Sequence, residues 1–324
     1  MRIEQVKEIA NAVLYEGYLL YPYRHSAIKN RQRWTLGVVY PQTYSELEGG
    51  SEPWTMQTEC LLTGDVQTTL TITVRFLHLL QRSVEGEVER GWTPGSWEEG
   101  MEREVGVEEM CLDDLRSQPF QFELAFDADC IREDGVVRIQ QPLAGVVELE
   151  AAQIEEHVYK LCVRIENTTP LSGLDMSRRD AVLLRSFIST HTIMQVRQGA
   201  FLSLLDPPLE LETVAHSCQN RHTWPVLIGN EGEHDVMLSS PIILYDYPQI
   251  APESLGPLFD GTEIDELLTL RIMTLTDAEK EEMRRGDEQA RAILERVESL
   301  SPEQLMQLHG TIRSLRPVSE GEEA

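Results

Sequence analysis

Apolar residues at Ile3, Val6, Ile9, Ala10, Val13 and Leu14 recur three and four positions apart, which predicts an amphipathic helix from residue 2 to about 16, ending near Gly17. Pro22 forbids its simple continuation. The period then shortens to two. WTLGVVYP (34–41), WTMQTECLL (54–62) and TTLTITVRFLHLL (68–80) are rich in β-branched and aromatic residues and separated by turn formers, so they read as antiparallel strands. The same pattern returns in FQFELAF (120–126), GVVRIQQPLAGVVELEA (135–151) and HVYKLCVRIENTTP (157–170). Between the two groups, residues 83–115 are heavily acidic and broken by glycines, which predicts a long acidic loop carrying a short helix.

Further along, SRRDAVLLRSFIST (177–190) has a helical pattern with Ser177 and Asp180 as a capping box. WPVLIG (224–229) and SPIILYDYP (240–248) read as strands or buried extended segments. From Thr262 the period is helical again. Thr276 with Glu279 caps one helix, and Ser301, Pro302 and Gln304 open the last, which should reach about Leu315 before an acidic tail. The class is therefore α+β: an antiparallel β-sandwich or barrel-like core with an N-terminal helix and a C-terminal helical segment. A chain of 324 residues suits about two domains. The pattern divides it into a β-rich part over 1–175, a mixed segment over 176–261 packed on it, and a helical region over 262–324 ending in a disordered tail.

Charge changes the picture more than composition does. The net charge is −27, yet residues 1–44 hold six Lys or Arg against three Glu, so the remaining 280 residues carry −30. A surface so negative repels phosphate backbones and anionic lipid, which argues against nucleic acid as a partner and favours basic protein surfaces. The N-terminus lacks an uninterrupted apolar signal core and no run approaches a membrane span, so no membrane insertion and a cytoplasmic location are expected. Five cysteines without a CxxC pair suit reduced thiols, with Cys162 in KLCVRI a buried strand thiol.

Candidate chemistry is sparse. The chain has no GxxxxGK[ST] loop, GxGxxG turn, GxSxG elbow, HExxH or EF-hand loop, which removes support from the common nucleotide and hydrolase classes. The densest set of metal-ligand types is His216, Cys218, His222 and His234, with Asp246 further on. Thiolate and imidazole would take zinc or nickel, whereas the spacing matches no specific zinc pattern, and a polar loop with Cys218 as a small buried group is the competing reading. Asp113 with Asp114, and Glu155 with Glu156 before His157, would serve acid and base chemistry if one member were buried, and are otherwise solvated pairs.

The net-positive segment contains LYEGYLLYPYRHSAIKNRQRW, with Arg24, His25, Lys29, Arg31 and Arg33 set among Tyr21, Tyr23, Asn30 and Trp34. Arginine forks suit carboxylates and phosphates, and tyrosine and tryptophan are interface residues, so these side chains would form a docking surface for an acidic partner or an anion pocket. Alternatively, the cations pair with the protein's own acids.

YLLYPYRHSAIKNRQRW (18–34) and LSSPIILYDYPQIAPESLGPLFDGTEIDELLTLRIMTLTDAEKEEM (238–283) together resemble an uncharacterised bacterial family encoded beside nickel-iron hydrogenase genes. That resemblance implies a non-catalytic accessory, assembly or maturation factor whose partner is a hydrogenase subunit or another maturation factor. It brings no catalytic residues with it. The alternatives left open are a metal-binding protein or metal-dependent enzyme using the 216–234 loop, and a structural subunit of a larger complex.

Overall fold

The computed structural model describes residues 2–23, 27, 30, 33–84, 97–133, 135–173, 178–250, 256, 258–259, 265–284 and 288–308. The chain divides into two compact units, one formed by 1–18 with 32–249 and the other by 19–31 with 250–324.

The first unit is built on one antiparallel sheet of ten strands, not closed into a barrel. Its spine is β1, Thr55–Val84, a continuous strand of 30 residues. The two runs expected at 54–62 and 68–80 are therefore halves of one strand. A register shift between Gly64 and Thr69 lets the chain bulge without leaving the sheet, and Thr68 Oγ1 donates to the Gln198 carbonyl at 2.6 Å to hold it. The first half of β1 pairs with β7 (Val158–Asn167), which continues through β6 (Leu143–Glu155) to β3 (Phe120–Phe126). Both halves pair with β8 (Ile188–Leu202), which leads to β10 (Val236–Ser240) and β9 (Trp224–Leu227). The far half also pairs with β2 (Trp97–Cys111) and, at its end, with β5 (Val136–Gln140), which carries β4 (Asp129–Glu133).

Side chains alternate across β1, so Met56, Cys60, Leu62, Leu70, Ile72, Val74 and Phe76 all join one core. Phe76 meets Phe187 at 4.7 Å between ring centroids and Phe126 of the remote strand β3 at 5.8 Å. The sheet thus coils until distant strands share one hydrophobic interior. Helix α1, Arg2–Leu14, covers the opposite face, where Val6, Ile9, Ala10 and Val13 pack with Ile193, Val226, Ile228, Val236 and Leu238. Gly17 follows with φ +71, a left-handed exit that glycine adopts without steric cost.

Several expectations are corrected. The acidic segment is not all loop: residues 97–111 form β2, since Val105, Val107 and Met110 pack against the core while glutamates alternate with them, and α3 (Leu112–Ser117) follows. Residues 34–41 form no strand and contribute an isolated bridge between Val39 and Phe187, because Gly37 at φ +54 turns the chain. The helix expected over 177–190 shrinks to α4, Arg179–Leu183, and its β-branched end, Ile188 to Thr190, enters β8. Ser177 lies outside the described residues. The strand near 240–248 lies earlier, at β10, because Pro241 has no N–H for a ladder. The short α2 (Gln42–Leu47) and α5 (Glu212–His216) complete this unit. The segment 176–261 does not stand apart, for β8, β9 and β10 are members of the same sheet.

The second unit holds α6 (Asp265–Met273), α7 (Asp277–Arg284), α8 (Glu288–Glu298) and α9 (Pro302–Leu308). Leu268, Ile272, Met283, Ala290, Ile293, Leu294 and Val297 are buried, and the α8 members recur at helical spacing. Both expected capping boxes are present: Glu279 N donates to Thr276 Oγ1 at 3.3 Å and Thr276 N to Glu279 Oε2 at 2.9 Å, while Ser301 N donates to Gln304 Oε1 at 2.9 Å. The expected acidic tail lies outside the described residues. No helix among the described residues is long and apolar enough to cross a membrane.

Candidate functional site

The net-positive segment is divided between the two units, and its described members are spent on internal contacts. In the first unit Arg33 is buried, with its guanidinium carbon 4.5 Å from the Trp34 ring centroid and 5.7 Å from that of Tyr18. It donates to the Tyr18 carbonyl at 3.4 Å and to the Glu98 carbonyl, and lies 3.8 Å from the Glu98 carboxylate. Trp34 is also buried, in the left-handed region at φ +67, and Arg179 donates to its carbonyl at 3.1 Å. In the second unit Tyr23 is fully buried with its hydroxyl donating to the Leu258 carbonyl at 2.8 Å. Asn30 is buried and closes a two-way bond with Leu20, accepting from its N–H and donating to its carbonyl, both at 2.8 Å. Tyr21 is half-buried and carries the Arg271 guanidinium 5.5 Å over its ring. Arg24, His25, Lys29 and Arg31 lie outside the described residues.

What Arg33 reaches is the edge of an acidic strand. Among the described residues β2 pairs with β1 alone, so its other edge is unpaired. There Arg33 takes the Glu98 carbonyl and the Tyr18 hydroxyl accepts from Gly100 N at 3.4 Å. Backbone groups two residues apart point the same way, so Glu102 and Glu104 present their N–H and C=O on that side too. No hydrogen bond from another segment reaches those groups among the described residues.

The side chains of β2 add charge to this open edge. The strand carries six glutamates, at 98, 99, 102, 104, 108 and 109. Glu99 pairs with Arg138 at 2.8 Å and Arg82 at 3.7 Å, and Arg75 lies 3.3 Å from both Glu102 and Glu104. Glu109, at φ +55 opposite a register shift, meets Arg197 at 3.1 Å, both largely exposed. The exposed Glu109–Arg197 pair holds little free energy and leaves its carboxylate open to another cation. Glu108 is exposed and no cation pairs with it among the described residues.

The metal-ligand set is not assembled. His216 ends α5, exposed; Cys218 is half-buried, with its thiol pushed up to about 11 by burial and the nearby Glu59; His222 is exposed at φ +63; His234 is exposed and bonded through Nδ1 to the Phe201 carbonyl at 3.1 Å. Asp246 is spent on Leu227 N at 2.7 Å and Ser203 Oγ at 2.5 Å. Among the described residues no three His, Cys, Asp or Glu side chains are grouped to hold an ion. The acidic pairs are solvated: Asp113 pairs with Arg116 at 2.6 Å on α3, and Glu156 with His157 at 3.8 Å on an exposed turn.

The histidines that stand out chemically are two that sequence reasoning passed over. His78 and His191 are fully buried, and burial lowers both to about 4. His78 Nε2 bonds the Gln141 carbonyl at 2.9 Å and His191 Nδ1 the Ser189 carbonyl at 3.0 Å, while the other nitrogen of each has no hydrogen-bond partner among the described residues. Each is a lone imidazole in an apolar alternating run, and that was their only signal.

No known protein-family model matches this chain. A search of curated proteins likewise finds no match.

Proposed function

We propose that the protein is a non-catalytic accessory or assembly factor that acts by protein–protein contact, and that a basic segment of its partner meets the open edge of β2. The observation that carries this reading is the combination, on β2, of unclaimed backbone groups at Glu102 and Glu104 with exposed carboxylates at Glu102, Glu104, Glu108 and Glu109. An extended segment added there would gain main-chain hydrogen bonds, and lysines or arginines on it would meet glutamates. Of the basic stretch, Arg33, Trp34, Tyr23 and Asn30 are buried and so are poor docking groups, while Arg24, Lys29 and Arg31 lie outside the described residues.

The nickel-iron hydrogenase connection rests on the segment resemblance alone, and a hydrogenase subunit or maturation factor is the partner it implies. Affinity purification from the native host with mass spectrometry tests both parts. A specific protein should co-purify with the wild type and be lost with Glu104→Gln/Glu108→Lys. Retention of that protein by the variant removes the β2 surface, and a partner unrelated to hydrogenase removes the assignment.

A further inference from the structure

The turn that joins β3 to β4 closes one side of a cleft of about 470 Å3, lined among others by Arg103, Phe126, Asp127, Asp129, Ile131 and Gln140. Arg103 comes from β2, on the core side opposite Phe76, so its side chain enters at the end of the hydrophobic interior. Its guanidinium carbon sits 4.7 Å over the Phe126 ring, and one terminal nitrogen donates to Gln140 Oε1 at 2.5 Å. Gln140 is fixed in turn by donating to the Asp127 carbonyl at 2.5 Å. Arg103 Nε is buried with no acceptor, and no carboxylate pairs with this guanidinium among the described residues. In a chain of net charge −27, a partly buried cation without a counter-ion is conspicuous.

The same cleft holds two exposed carboxylates. Asp129 spends one oxygen on Cys130 N at 2.7 Å, and the Asp127 carboxylate makes no ion pair among the described residues. A guanidinium that is stacked and oriented offers a planar fork to a carboxylate. Two nearby carboxylates repel a dianion such as phosphate but attract an ammonium. Met101 and Ile131 supply apolar wall for a side chain.

We propose that this cleft binds a small zwitterion of the free amino-acid type, its carboxylate on Arg103 and its ammonium between Asp127 and Asp129. The stack on Phe126 and the bond to Gln140 hold the fork ready, so little rotamer entropy is lost on binding. This site is independent of the β2 edge.

Saturation-transfer difference NMR on the full chain, with each common amino acid in turn and with acetate and methylammonium as single-charge controls, tests it. At least one amino acid should bind more tightly than either control, and Arg103→Lys and Asp127→Asn/Asp129→Asn should each weaken it about tenfold or more, as expected for a lost charge-assisted contact. Because Arg103 packs on Phe126, the double aspartate variant, changed only at exposed positions, keeps the test valid if Arg103→Lys folds poorly. Val66→Ser, at an exposed site in the β1 bulge, should leave binding unchanged. Binding no stronger than that of acetate or methylammonium, or equal affinity in the double aspartate variant, overturns the proposal.

Discussion

Arg33 and Glu98 are joined twice: the guanidinium donates to the Glu98 carbonyl and lies 3.8 Å from its carboxylate, with its side chain only 3% exposed. One arginine from the net-positive stretch therefore seals the start of the edge of β2 and offsets one of its charges. Arg33→Met should lower unfolding free energy by about 2–4 kcal/mol, because two carbonyls lose their donor and a buried charge pair is broken. Arg33→Lys should recover less than half, since an ammonium cannot span Tyr18, Glu98 and the Trp34 ring together. Urea denaturation of the three proteins checks both statements.

Acid should destabilise the fold through His78 and His191. Both lie near 4 when folded and near 6.5 when unfolded, so between those values the unfolded chain binds more protons. Stability from these groups is complete above about pH 6.5 and falls as pH drops toward 4, by about 3 kcal/mol for each imidazole. Each faces an arginine, Arg103 for His78 and Arg75 for His191, which adds to the penalty of protonation. His191→Gln should flatten the slope of stability against pH between 6.5 and 4, measured by denaturation at fixed ionic strength, whatever its effect at pH 7.5.

The coiled core depends on contacts between strands far apart in sequence. Phe76→Ala removes a ring that touches both Phe126 and Phe187, and should cost about 3–5 kcal/mol, read as a drop in melting temperature. Phe76→Leu should cost less than half of that.

Thiol chemistry offers an independent check of burial. Cys111 and Cys130 are exposed, Cys218 is half-buried, and Cys60 and Cys162 are buried with thiols that burial raises, Cys162 to about 11. An aromatic disulfide reagent at pH 8 should label Cys111 and Cys130 quickly and Cys218 slowly, and should reach Cys60 and Cys162 only after unfolding. Mass spectrometry of the labelled peptides gives the order.

Local signals were legible in the sequence. Helix α1, its end at Gly17, both C-terminal capping boxes and the strand thiol Cys162 follow from periods and pairs within a few residues. β2 was legible too, because Met101, Arg103, Val105 and Val107 alternate with Glu102, Glu104, Gly106 and Glu108, but the density of acid and glycine disguised it as loop. Long-range partners were not legible. Nothing near Arg33 announces that its contact is Glu98, 65 residues on, and nothing in FELAFDAD places Phe126 under Arg103. Sequence proximity did not gather the metal-ligand residues either: His216 ends α5, whereas His234 bonds the Phe201 carbonyl.

Binding measured together with stability separates a docking role for the charge on the open edge of β2 from a purely structural one. Glu104→Gln/Glu108→Lys should keep the wild-type melting temperature within a few degrees while abolishing capture of the partner from native lysate. Undiminished capture by this folded variant would show that the partner does not dock on the β2 edge.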